Sequence, residues 1–285
     1  MFVATLVAPQ GVDLSDAQLS SFVDVTGWAG GIVDRSTRID GRAADVFFSG
    51  ASPEIKDMPF DVIIQPAAGR RKKILIADME STIIEQEMLD ELAAEIGVGA
   101  KVADITRRAM NGELDFADAL KERVNLLKNH SEGLLHQVAA RMTVMPGAET
   151  LVASMKRDGG RAWLVSGGFT CFAKIVAQRL GFDDCFANEL IVEKGVMTGD
   201  VGMPILDKDS KAALLKRACD IYGCGIGETL AVGDGANDVP MLQACHNGGG
   251  LAVAFHAKPR VREIVANQIN HGDLSALVYA QGLVP

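Results

Sequence analysis

Three short apolar runs in the second part of the chain each break off into a polar or glycine-rich turn, and a helical pattern follows each turn. Ile74 to Ala77 leads into Asp78-Met-Glu-Ser-Thr82, Ala162 to Val165 into Ser166-Gly-Gly168, and Thr229 to Val232 into Gly233-Asp-Gly235. Runs that stay apolar without alternating belong to strands buried on both faces. The pattern therefore predicts the α/β class, a doubly wound parallel sheet with helices on either side. Ligands of such sheets bind beyond the carboxyl ends of the strands, which is where all three polar clusters fall. Between the first two runs no strand signal appears, but Met88, Leu92 and Ile96, and then Phe116, Leu120, Val124 and Leu127, recur at helical spacing. They predict a helical insertion over about residues 86–143, standing over the site as a cap.

Residues 1–70 pattern differently, with strand-like stretches at Phe2 to Val7, Gly31 to Val33 and Asp45 to Phe48 and a polar helix near Ser15 to Phe22. This is the make-up of a small α+β module. The run Arg70-Arg-Lys-Lys73 after it reads as a solvated linker, dividing the chain into 1–70 and 71–285. A length of 285 residues accommodates two such units.

Composition narrows the partners. With 48% hydrophobic and 23% charged residues the chain is an ordinary globular protein, and its net charge of −9 argues against nucleic acid or an anionic membrane as a partner. No run approaches the ~18 apolar residues of a membrane span, and the apolar N-terminus lacks the basic lead of a signal peptide, so the cytoplasm is expected. Five scattered cysteines without CxxC spacing suggest neither a disulfide framework nor a zinc site. A small-molecule partner fits best, and the pattern leaves room for a homodimer.

Asp78, Asp234 and Asp238 all follow apolar strands, so at least three carboxylates are led to one rim of the sheet. Gathered charges of one sign repel unless a cation joins them, and oxygen ligands favour a hard one such as Mg²⁺. A single aspartate after a strand is often only a helix cap; three at one rim are not. Ser166-Gly-Gly168 offers a hydroxyl and backbone N–H groups to an anion, and Lys211 opens a helix from which it could neutralise one. Either feature alone is commonplace.

Together, Asp78-x-Glu80-Ser-Thr82, Ser166-Gly-Gly168, Lys211 and Gly233-Asp-Gly-Ala-Asn-Asp238 resemble the four motifs of the haloacid dehalogenase superfamily, over residues 74 to about 260. Within it, the segment Asp78 to Leu92, Val165-Ser-Gly-Gly-Phe169 and Phe255-His-Ala-Lys-Pro259 look like the phosphoserine phosphatases. The resemblance implies hydrolysis of O-phosphoserine to serine and phosphate, the last step of serine biosynthesis, through an aspartyl-phosphate on Asp78. It implies Mg²⁺ held by Asp78, the backbone carbonyl of Glu80 and Asp234 with Asp238 in support, and phosphoryl oxygens held by Ser166, Gly167, Lys211 and Asn237.

One position departs from the superfamily pattern. The residue two after the nucleophile is normally aspartate, serving as general acid and then base, and here it is Glu80. The carboxyl group is kept, but one methylene displaces it by roughly an ångström, an error that can cost ~10²-fold in rate.

A phosphorylated amino acid also needs a cation for its carboxylate and an anion for its ammonium. Arg123 lies seven positions after Phe116 and three after Leu120, on the apolar side of its helix, while Glu87 opens the first cap helix. Taken alone, a salt bridge or favourable dipole placement would explain both. The segment Met110-Asn-Gly-Glu-Leu-Asp-Phe116-x6-Arg123 resembles the cap stretch in which phosphoserine phosphatases place a substrate-binding Met, Phe and Arg. The module over residues 1–70 has the general order of ferredoxin-like or ACT-like amino-acid-sensing domains. Three alternatives stay open: a phosphatase for another small metabolite, a phosphotransferase to another alcohol, and a non-catalytic phospho-amino-acid sensor.

Overall fold

The structure is a computed structural model describing residues 1–55, 58–110, 113–157 and 159–285. Its elements follow in chain order as β1 (Phe2–Val7), α1 (Asp16–Trp28), β2 (Gly31–Arg38), β3 (Ala43–Gly50), β4 (Asp61–Pro66) and β5 (Ile74–Ala77). Four helices come next: α2 (Met88–Glu95), α3 (Gly99–Met110), α4 (Phe116–Asn125) and α5 (Gly133–Ala139). The chain continues through α6 (Ala148–Arg157), β6 (Arg161–Phe169), α7 (Thr170–Leu180), β7 (Asp184–Asn188), β8 (Leu190–Glu193) and β9 (Val196–Val201). It ends with α8 (Lys208–Tyr222), β10 (Thr229–Gly233), α9 (Val239–Asn247), β11 (Leu251–Phe255), α10 (Pro259–Arg262), β12 (Asn267–Ile269) and α11 (Ala276–Ala280).

Strands β12, β11, β10, β5, β6 and β7 lie side by side in parallel, as the unbroken apolar runs require. Leu75 and Ala77 face one core with Leu164 and Val232; Ile74 and Ile76 face the other with Trp163, Val165 and Ala231. Burial of both faces is what removes alternation from the sequence. Because β5 lies between β10 and β6, the residues following these three strands meet at one edge.

The sheet does not stop at the parallel strands. Strands β2, β3, β1 and β4 form an antiparallel extension, and β4 joins β12 where Ile64 N–H donates to Asn267 Oδ1 at 2.8 Å and Asn267 Nδ2 donates to Ile64 O at 3.1 Å. Strand β4 carries no alternation, follows Pro59 closely and ends on Pro66, so its pattern is short and easily read as a loop.

Within the basic run at 70–73, Arg71 and Lys73 are exposed but Arg70 and Lys72 are not solvated. Arg70 grips Asp45 with both terminal guanidinium nitrogens, at 2.7 and 3.0 Å, and donates from Nε to Ala280 O at 3.1 Å. Lys72 is buried and donates to Gly227 O at 2.9 Å. The partners come from 25 to 210 residues away along the chain, so charge patterning could not reveal them.

Helices α2 to α5 rise from the sheet on a paired stem: Glu85 N–H donates to Thr143 O at 3.0 Å and Met145 N–H to Ile83 O at 2.9 Å. The hairpin β8–β9 braces their far side, with Asn129 N–H donating to Met197 O and Met197 N–H to His130 O, both at 2.9 Å. Leu92, Leu120, Val124 and Leu127 are fully buried, but Phe116, in the same helical register, is 36% exposed. Among the described residues no helix is long and apolar enough to cross a membrane.

Candidate active site

Asp78 leaves β5 with its N–H bonded to Val232 O at 3.0 Å, which ties the ends of β5 and β10 together. Beyond β10, Asp238 folds back so that its Oδ2 accepts from Gly235 N–H at 2.9 Å. A Cβ at Gly233 would lie 2.5 Å from the Asp238 carboxyl carbon, so only glycine permits that fold. Asp78, Asp234 and Asp238 are all buried, each with a carboxylate oxygen within 4.8 Å of the others.

Lys211, on the first turn of α8, places Nζ 2.6 Å from Asp78 Oδ1 and 2.6 Å from Asp238 Oδ1. The helix is set there by Asp207, whose carboxylate accepts from Ser210 N–H at 2.9 Å. Burial alone would lower the Lys211 pKa, but Asp238 and Asp78 outweigh it and hold the ammonium charged. Burial, and then Asp238, push the Asp78 carboxyl well above its ordinary range in spite of Lys211. Burial likewise raises Asp234 to about 6. Two ammonium groups for three carboxylates, counting exposed Lys258 at 3.3 Å from Asp234, leave the cluster short of positive charge. Buried oxygen donors so arranged fit a divalent cation.

Above this cluster lies a cavity of about 740 Å³ lined from the sheet side by Asp78, Glu80, Gly167, Asp234 and Asn237, and from the helices above by Glu87, Phe116 and Arg123. Ser166, Lys211 and Asp238 are fully buried beneath its floor, and the Met110 side chain lies outside the described residues. Ser166 and its two glycines continue β6 rather than opening a helix, which begins only at Thr170; the Ser166 hydroxyl accepts from Gly168 N–H at 2.9 Å.

Glu80 bends back toward α2, its Oε1 accepting from Met88 N–H at 2.9 Å. Burial, and then the neighbouring Glu87, raise its pKa to about 8, so the group is mostly a neutral acid at pH 7. Glu87 accepts from Ser81 Oγ at 2.8 Å at the rim. Arg123 Nε donates to Ala119 O at 3.2 Å, and burial lowers its pKa against the pull of Asp90, Glu80 and Glu87. A guanidinium facing a cavity from a half-buried position is prepared for an anion.

Sequence reasoning missed Lys258 and Arg260, which line the same cavity. The signal was present: β11 is a further unbroken apolar strand, and the polar turn after it, His256-Ala-Lys258-Pro259, ends on the same rim.

A family model of haloacid dehalogenase-like hydrolases matches residues 75–243, more than half of the chain. The chain belongs to that family. It is similar to a phosphoserine phosphatase of Mycobacterium tuberculosis, with 39% identity over 216 residues, 76% of this chain and 52% of that protein; the chain thus spans about half the length of this curated relative. Among solved structures, a family hydrolase of Salmonella enterica matches with a TM-score of 0.84 and 26% identity over 98% of both chains. A structure described as a phospho-aspartyl intermediate analogue of phosphoserine phosphatase matches with a TM-score of 0.67 and 37% identity, over 73% of this chain and 98% of that one.

Proposed function

We propose that the chain hydrolyses O-phosphoserine to serine and phosphate through an aspartyl-phosphate on Asp78. The observation that carries this reading is one cavity whose floor holds Asp78 against Lys211 and whose roof offers both a guanidinium, Arg123, and a carboxylate, Glu87. Phosphate chemistry needs the floor. A zwitterionic amino acid needs the roof.

In the first step an Asp78 oxygen attacks phosphorus, the bond from phosphorus to the serine oxygen breaks, and Glu80, neutral below about pH 8, gives that oxygen its proton. In the second, the Glu80 carboxylate takes a proton from water as the water attacks phosphorus, the bond to Asp78 breaks, and phosphate departs. Lys211 keeps a charge beside Asp78 throughout. Ser166, Gly167 and Asn237 are assigned to the phosphoryl oxygens, and Met110 and Phe116 to the substrate's flank. Asp78, the Glu80 carbonyl, Asp234 and Asp238 would hold the cation, taken as Mg²⁺, which when bound neutralises phosphoryl charge. The reading carries with it a cytoplasmic location, a catalytic part over 71–285 with its cap at about 86–143, and an α+β module over 1–70.

The test is phosphate release from O-phosphoserine, O-phosphothreonine and an aryl phosphate, each with Mg²⁺ and with chelator. Preference for the amino-acid ester, abolished by chelation, is expected; equal rates on all three would remove the assigned substrate, and tight binding with no release would favour a sensor. Arg123→Ala should raise KM for O-phosphoserine ~10²-fold, the loss of a charge-assisted pair, while changing aryl phosphate turnover by less than ~3-fold. An equal effect on both substrates would detach Arg123 from carboxylate recognition.

A further inference from the structure

At position 168 the backbone by itself does not call for glycine. Its φ lies outside the left-handed region, so an L side chain is conformationally allowed. What such a side chain would meet is Glu80. The three atoms nearest to a Cβ built on Gly168 are Glu80 Oε1 at 2.7 Å, Oε2 at 2.8 Å and Cδ at 2.9 Å, all closer than a methyl group can approach. The carboxyl group therefore rests on the bare Cα of Gly168.

On its other side that group is held by Met88 N–H at 2.9 Å, at the start of the first cap helix. Glu87, in the N-cap position of that helix, makes no side-chain cap bond, and Glu80 Oε1 is what accepts from the helix end. Gly168 is itself fixed, buried within β6 with its N–H on Ser166 Oγ. The carboxyl group of the longer side chain at position 80 thus lies between Met88 N–H and the bare Cα of Gly168.

We propose that Gly168 is a positioning residue for Glu80: the missing Cβ is the space that lets a glutamate, one methylene longer than the family's usual aspartate, carry its carboxyl group over the reaction site. A side chain at 168 would push the group off Met88 N–H and away from the phosphoryl position, whereas a shorter aspartate at 80 would tolerate it. The kinetic part of this inference rests on the proposed function; the packing part does not.

The experiment compares the parent, Gly168→Ala, Glu80→Asp and the double variant. Gly168→Ala should lower kcat for O-phosphoserine ~10²-fold with KM changed less than ~3-fold, as expected for a misplaced acid rather than a lost binding contact. Glu80→Asp, whatever its own rate, is the reference for the second background, and adding Gly168→Ala to it should cost less than ~3-fold, so that the two effects are not additive. Melting temperatures in chelator give a second cycle: Gly168→Ala should lower Tm more in the parent than in the Glu80→Asp background. Should the parent release no phosphate from any ester, the function falls while the melting cycle still decides the packing claim. An alanine penalty that is the same in both backgrounds, or insolubility in both, overturns the inference; insolubility beside Glu80 alone supports it.

Discussion

Lys211→Met is expected to lower turnover at least ~10³-fold and to destabilise the metal-free protein by about 3–5 kcal/mol near pH 8. Methionine fills the space, so the effect isolates the charge. Lys211 is 1% exposed and bonds Asp78 and Asp238 together at 2.6 Å each; without it two buried carboxylates face one another uncompensated. The nucleophile, already pushed above the ordinary range by burial and then Asp238, would be pushed further and spend more time protonated, hence unreactive. The sign of the pH dependence follows. A carboxyl group with a raised folded pKa binds protons that the unfolded chain does not, so stability falls as pH rises above the ordinary carboxylate range. The deficit of Lys211→Met relative to the parent should therefore shrink as pH falls toward 5. Denaturant melts in chelator at pH 5 and pH 8 check this, and equal stability of the two proteins at both values would mean that the lysine is not what balances the cluster.

Asp78→Asn should have the larger kinetic effect, a fall in kcat on the order of 10⁴-fold or more, because an amide cannot form the acyl phosphate. Its structural effect should be slight. Asparagine has the same shape and keeps an oxygen for Lys211, and it removes one of three crowded charges, so in chelator the variant should melt no lower than the parent. Loss of activity together with unfolding would leave the nucleophile unassigned by this variant, so melting temperature and kcat are read on the same preparation. The combination of retained stability and lost turnover is what separates a reacting group from a supporting one.

How far the sequence reaches depends on whether a residue's partner lies in its own local pattern. Ile74 to Ala77 and Thr229 to Val232 were legible as central strands because burial on both faces leaves an unbroken apolar run that ends sharply at Asp78 and Gly233. The aspartate cluster followed from that ending, since adjacent strands finish at one edge. Phe116 and Arg123 of α4 both line the cavity, whereas helical periodicity grouped Phe116 with the core positions Leu120 and Val124, a distinction that periodicity does not carry. Strand β4 was hidden by its short unalternating pattern, and hairpin β8–β9 by the glycine and charges between its halves. Arg70 and Lys72 looked like solvated charges because their acceptors, Asp45 and Gly227 O, are supplied by other parts of the fold. The contact between Glu80 and Gly168 is of the same kind: the sequence shows the extra methylene, and only the fold shows the space it occupies.

The central claim is that Asp78 itself carries the phosphoryl group for part of each cycle. The most direct measurement is to mix the protein with phosphorus-labelled O-phosphoserine and Mg²⁺, quench in acid within the first turnover, reduce the acyl phosphate with borohydride and locate the modified residue by peptide mass spectrometry. The modification should fall on Asp78 and vanish in Asp78→Asn. Modification at any other residue, or the same yield from the asparagine variant, would contradict the mechanism.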